Sequence, residues 1–144
     1  MRIAYILLAL SALSLEARIT RIVIDRTESP AFRGESFGEV GPYEKVIGRA
    51  YGEISPFHPL NAGITDLMLA PRNGGGYVQY MTTFYLLKPV DKRRGNGLLF
   101  YSAPNRGDKR AFNALNQGLA GSNDPTAAGD GLAMRRGYSM LWSG

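Results

Sequence analysis

Cysteine is missing from all 144 residues, and histidine and tryptophan each occur once. Without cysteine there is no disulfide framework, no cysteine zinc site and no lipoprotein-type cysteine anchor. Export is still allowed, because many exported proteins have no disulfides. A single histidine means that any Ser-His-Asp triad within this chain must use His58. His58 sits in Pro56-Phe57-His58-Pro59, a rigid connection where a surface or packing role is expected. Metal binding is equally unsupported, since Asp124 and Asp130 are spaced for a helix cap and not for a calcium loop. Gly74-Gly75-Gly76 and Gly129-x-Gly131 make neither a dinucleotide fingerprint nor a phosphate loop. No cofactor and no metal are therefore expected. Gly34-Glu35-Ser36-Phe37-Gly38 matches Gly-x-Ser-x-Gly by spacing, but it falls in the glycine-dense Pro30–Pro42 loop and not between a strand and a helix, where the turn that carries a hydrolase nucleophile belongs.

Long apolar runs are scarce too. Ile3–Leu13 follows a minimal basic start, Met1-Arg2, and is too short to span a bilayer. Its length suits a signal-peptide core, with Ala12-Leu13-Ser14 as the better cleavage site and Leu15-Glu16-Ala17 as the poorer one. Residues 1–17 are thus expected to be an export leader, which leaves no stable membrane span after cleavage. Residues 18–144 form one domain, delivered to the periplasm or the exterior. The competing reading is a hydrophobic first helix retained in the fold.

Acidic residues are in deficit, and the chain carries a net charge of +5 with a pI near 9.7. Between Lys88 and Arg110 seven basic residues face two acidic ones, which accounts for the whole surplus. A nucleic-acid surface would interleave aromatics with such a stripe. Lys92-Arg93-Arg94-Gly95-Asn96-Gly97 reads instead as a solvated turn between strands, and no nucleic-acid partner is expected. The alternative is a secreted, non-catalytic binding module that uses the basic 88–110 region against acidic polymers.

What is abundant is glycine, with 18 residues, alongside eight prolines. Such a chain is turn-rich, with short helices. Arg18–Arg26 contains Ile22-Val23-Ile24 and reads as a strand. Pro30 to Pro42 is loop, anchored by Phe32 and Phe37. Tyr43–Ile54 reads as a strand bent or bulged at Gly48 and Gly52. Ile64–Leu69 is a candidate short strand. After the turn at Arg72–Gly76, Tyr77–Val90 gives the strongest strand pattern, apolar on both faces and so expected to be covered on both.

Leu98–Tyr101 is an apolar run, suited to a strand buried on both faces. It empties through Ser102-Ala103-Pro104 into Asn105-Arg106-Gly107-Asp108, the kind of strand-to-loop junction where open α/β sheets place ligands. Phe112, Leu115 and Leu119 share one face of a short helix limited by Gly118. A second helix is expected from Asp124 as N-cap and Pro125 at N1 to Arg136, with Gly137 at C′. Tyr138–Trp142 is a second buried strand. From Asn96 onward the order is strand–loop–helix–helix–strand, a crossover that should be right-handed and parallel. The fold class is α/β: a mixed sheet with antiparallel N-terminal strands and one strand–helix–strand crossover.

The passage Leu132–Trp142, with Arg136-Gly137-Tyr138 between helix and strand, resembles the approach to the fourth strand of α/β-hydrolases. Gly41-Pro42-Tyr43-Glu44, Pro59-Leu60-Asn61, Asp66-Leu67, Leu69–Asn73, Leu86–Pro89, Asn105-Arg106-Gly107 and Asn123-Asp124-Pro125 extend the likeness over most of residues 18–144. In order and spacing they resemble the N-terminal half of a family of exported α/β hydrolase domain-containing proteins. The resemblance implies an esterase-like serine hydrolase acting on a small ester-type substrate. Its nucleophile would follow a fifth strand, with an acid and then a histidine in chain order. Those residues would lie outside the present chain, which is expected to be a front fragment, inactive by itself. Within it, the loop after the third hydrolase strand would offer backbone N–H groups to an oxyanion, making Asn105, Arg106 and Gly107 the candidates. The alternative for Asn105 and Arg106 is that they merely tie the loop to the sheet.

Overall fold

The structure, a computed structural model, describes residues 17–103, 110–119 and 125–144. It contains a mixed five-stranded sheet and few helices. The strands are β1 (Ala17–Glu28), β2 (Tyr43–Ile54), β3 (Val78–Pro89), β4 (Leu99–Ser102) and β5 (Ser139–Ser143), and their spatial order is β1-β2-β3-β5-β4. The helices are α1 (Arg110–Asn116) and α2 (Leu132–Arg135). Residues 19–52 and 80–144 make one compact unit, and residues 53–79 with the described residues up to 18 make another.

In the larger unit, β1 and β2 run antiparallel. Thr20 Oγ1 donates to Tyr51 O, and Arg49 grips Asp25 further back along the pair. Gly48 shows why β2 is unbroken where its glycines suggested a bulge. A Cβ at Gly48 would lie 2.3 Å from Val23 O and 2.7 Å from the Phe84 ring, so β1, β2 and β3 meet at a point that tolerates no side chain. β3 and β5 are antiparallel, with Leu87 opposite Met140 and Tyr85 opposite Trp142. β4 and β5 are parallel, with Phe100 opposite Met140. The antiparallel beginning and the parallel crossover expected from the sequence are both present.

The core lies on one face of this sheet. Tyr85, Leu87, Met140 and Trp142 point into it, under Phe32, Phe37, Phe112, Ala133 and Met134. Aromatic contacts run edge to face from Phe32 to Phe37 (5.7 Å), from Phe37 to Tyr43 (5.6 Å), and from Trp142 to Tyr85 (5.3 Å) and Phe112 (5.9 Å). Each such pair adds about 0.5–1.5 kcal/mol beyond its burial. Phe32 has φ of 52°, a conformation costing roughly 1–2 kcal/mol, yet its ring is fully buried. Burying that side chain gains about 1.5–3 kcal/mol, so packing holds the backbone there. Phe32 and Phe37 anchor the loop, as their place in the sequence suggested.

Several expectations fail, each for a physical reason. β4 is not buried on both faces: Leu99, Phe100 and Tyr101 are 54%, 38% and 55% exposed, because among the described residues β4 is the last strand of the sheet and only β5 pairs with it. β3 is exposed over much of its first half, and only its carboxyl half is packed. Ile64–Leu69 is not a strand. Asp66 adopts a left-handed conformation, and short-range bonds from Leu67 N to Ile64 O and from Leu69 N to Asp66 O close turns instead. The helix expected up to Arg136 is broken. Pro125–Ala128 forms one 3-10 turn, Gly129 and Gly131 are left-handed, and α2 starts only at Leu132. The same kind of shift shortens α1: Gln117 is left-handed, the helix stops at Asn116, and Leu119 is left exposed. Asp124, expected to cap the second helix, lies outside the described residues, as does residues 1–16 of the expected leader. Ala17, its last residue, opens β1.

The end of α2 is as read. Gly137 N donates to Met134 O, and Tyr138 N donates to Ala133 O. Together these close a Schellman cap with Gly137 at φ 79°. A Cβ there would also stand 2.8 Å from Asn96 N. Asn96 N donates to Gly137 O, and Asn96 Nδ2 donates to Arg136 O, so the turn before β4 is stitched to the turn before β5.

In the smaller unit, Glu53 is buried and accepts from Arg18 Nε at 2.7 Å and Asn73 Nδ2 at 3.0 Å. Asn73 Oδ1 in turn accepts from Gly75 N and Tyr77 N, fixing the triple-glycine turn. Asn61 is buried and donates to Ser55 O.

Candidate functional site

Parallel pairing of β4 with β5 brings their carboxyl ends side by side, with Ser102 opposite Trp142. That end of an open sheet is where ligands bind when the strand order reverses. Here β5 sits between β3 and β4, parallel to β4 alone. Tyr101 Oη and Ser143 Oγ are hydrogen-bonded at 2.9 Å, and Thr83 Oγ1 donates to Gly144 O at 2.7 Å. These contacts tie the strand ends together.

That loop carries Asn105, Arg106 and Gly107, which lie outside the described residues. Its supports are described: β4 as far as Ser102 and Ala103 on one side, and α1 from Arg110 on the other. Two further groups had no signal in the sequence. Trp142 Nε1, at the end of β5, and Asn116 Nδ2, at the end of α1, are buried donors with no hydrogen-bond partner. An unpartnered buried donor costs roughly 1–3 kcal/mol, so both stand out among the described residues. Residue type and spacing do not reveal such donors, because the sequence does not say which acceptors come within reach.

His58 does not assemble a triad among the described residues. It is half-buried in the smaller unit, and its Nδ1 accepts from Leu60 N at 3.3 Å, the cap of a 3-10 turn. A turn cap of this kind fits the surface or packing role expected from its sequence context. Among the described residues no group of three or more histidine, aspartate or glutamate side chains could hold a metal ion. No described helix is long and apolar enough to cross a membrane.

The basic segment is partly neutralised. Lys88 pairs with Glu44, and Arg93 pairs with Asp91 at 3.0 Å. Burial acts to raise the Glu44 carboxyl, but hydrogen bonds from Lys88 and Ser29 outweigh it and hold the group below its usual range. Asp91 is lowered by the side-chain and backbone hydrogen bonds of Arg93. Lys92–Arg94 is an exposed 3-10 turn with Asp91 as its cap, the solvated turn expected from the sequence.

Two clefts flank β4. One of about 320 Å³ opens on the helical side, between Phe100, Leu115, Leu132, Ala133, Arg136 and Tyr138. The other, about 380 Å³, lies on the opposite face and includes Leu86, Leu98, Leu99, Lys88 and Lys92 in its lining. Phe100 and Leu99 are consecutive, and strand alternation sends them to opposite faces.

No family model, no curated protein and no solved structure matches the chain. The site therefore has to be read from its own chemistry.

Proposed function

We propose that this chain is the sheet-forming front of an exported, esterase-like serine hydrolase that cleaves carboxylic esters of small molecules. The observation that carries the reading is the strand arrangement. β5 is inserted between β3 and β4, antiparallel to the first and parallel to the second. Counted from β2, this is the order of the first four strands in the α/β-hydrolase sheet that the sequence motifs resemble. The open apolar edge of β4 also fits, since such a sheet continues beyond it.

In this reading a serine on a nucleophile turn attacks the ester carbonyl, and negative charge develops on the carbonyl oxygen. The loop after β4 supplies one backbone N–H to that oxygen, from among Asn105, Arg106 and Gly107. The second N–H, the nucleophile, the acid and the base come from outside this chain. Export rests on residues 1–17. Acidic-polymer binding by the 88–110 region is the weaker alternative, because the Lys88–Glu44 and Arg93–Asp91 pairs occupy two of its cations.

The test uses the polypeptide in which the sheet is completed by a nucleophile-bearing half. Its serine is expected to react with a fluorophosphonate probe. Gly107→Pro, which removes one N–H, is expected to lower kcat about 10²–10³-fold with little change in KM. Unchanged turnover in that variant and in the equivalent variants at Asn105 and Arg106 would remove the loop from the site.

A further inference from the structure

The two edges of the sheet are built differently. β1 carries Arg18, Arg21, Asp25, Arg26 and Glu28, a charged edge of the kind that discourages pairing with another strand. β4 reads Leu99-Phe100-Tyr101-Ser102 and has no charge at all, although its apolar side chains are exposed. It therefore lacks the protection that β1 has. A cleft also opens on each face beside it, so a strand laid along this edge would send alternate side chains into one cleft and then the other.

Charge indicates what kind of strand fits. Among the described residues, every charged side chain lining the two clefts is cationic: Arg136 in one, Lys88 and Lys92 in the other. Lys88 already has Glu44, whereas Arg136 and Lys92 form no ion pair among the described residues. We propose that β4 accepts, as the next strand of the sheet, an extended partner segment of alternating apolar residues with acidic flanks. A second copy of this chain fits poorly. Pairing β4 with its own twin would set Arg136 and Lys92 against like charges on molecules that each carry +5. Within the hydrolase reading such a strand continues the sheet, and the charge argument adds its chemistry; binding is read without ester turnover, so either can fail alone.

The test is fluorescence anisotropy with two labelled peptides, each of alternating valine and threonine. One is flanked by glutamates and the other by lysines. The glutamate peptide is expected to bind the chain at least about tenfold more tightly, with the preference shrinking as salt rises. The combined Lys92→Glu and Arg136→Glu variant should reverse the preference, and Tyr101→Lys, a charge placed on the exposed edge, should abolish binding of the glutamate peptide. Circular dichroism of each variant is expected to match the parent. No binding by a natively folded chain, or equal binding of both peptides, would overturn the assignment. So would sedimentation showing self-association that Tyr101→Lys removes, which would give the edge to a second copy.

Discussion

Gly48→Ala is the sharpest perturbation of the sheet. The added methyl would stand 2.3 Å from Val23 O and 2.7–2.8 Å from two atoms of the Phe84 ring. The ring could tilt away. The carbonyl belongs to the neighbouring strand and can move only by disturbing β1. Overpacking of this kind costs about 1–3 kcal/mol. Replacing a strand glycine by alanine recovers about 0.5–1 kcal/mol of backbone entropy, so the net loss expected is about 0–2.5 kcal/mol. Urea unfolding followed by tryptophan fluorescence reads this, because Trp142 lies in the core beside Tyr85. Gly74→Ala is the control: nothing lies within 4 Å of its Cβ position, and its stability should stay within about 0.5 kcal/mol of the parent. A double variant with Phe84→Leu should recover only part of the loss, because the clash with Val23 O remains. If Gly48→Ala proves clearly more stable than the parent, the close approach of the three strands is wrong.

Two further outcomes follow from buried and paired groups. Tyr43 Oη lies 3.0 Å from both Met134 O and Tyr138 O, so Tyr43→Phe should cost about 0.5–1.5 kcal/mol by urea unfolding and leave the fold intact. The Glu44 carboxyl is held below its ordinary value of 4.5 when folded, so it contributes stability above that value and loses it as pH falls further. Glu44→Gln should therefore flatten the decline in unfolding free energy between about pH 5 and pH 3. An unchanged slope would show that the Lys88 pair does not govern that carboxyl.

Local chemistry made some of this architecture legible in advance. β2 spans Tyr43–Ile54, the segment read from alternation alone, and the Gly137 cap follows from glycine after a basic last turn. Parallel pairing of β4 with β5 follows from the intervening crossover. Burial was harder to read. Leu98–Tyr101 has the composition of a strand covered on both sides, but coverage depends on whether a neighbour exists, which an apolar run does not encode. Pro125–Arg136 had a capping signal at each end, yet Gly129 and Gly131 in left-handed conformations broke the helix between them. Ile64–Leu69 lacked a pairing partner, and Asp66 turned it. Of the site, the strand ends and their supports could be located. The buried donors Trp142 Nε1 and Asn116 Nδ2 could not, since satisfaction of a polar group is a property of its surroundings.

The central claim is that this chain holds half of a hydrolytic site, with its single histidine committed to a turn at Leu60. Hydrolysis of nitrophenyl esters by the purified chain tests it most directly. No turnover above the rate in buffer is expected, whatever the acyl length. Clear saturable turnover by the chain alone, lost on His58→Ala, would contradict the account.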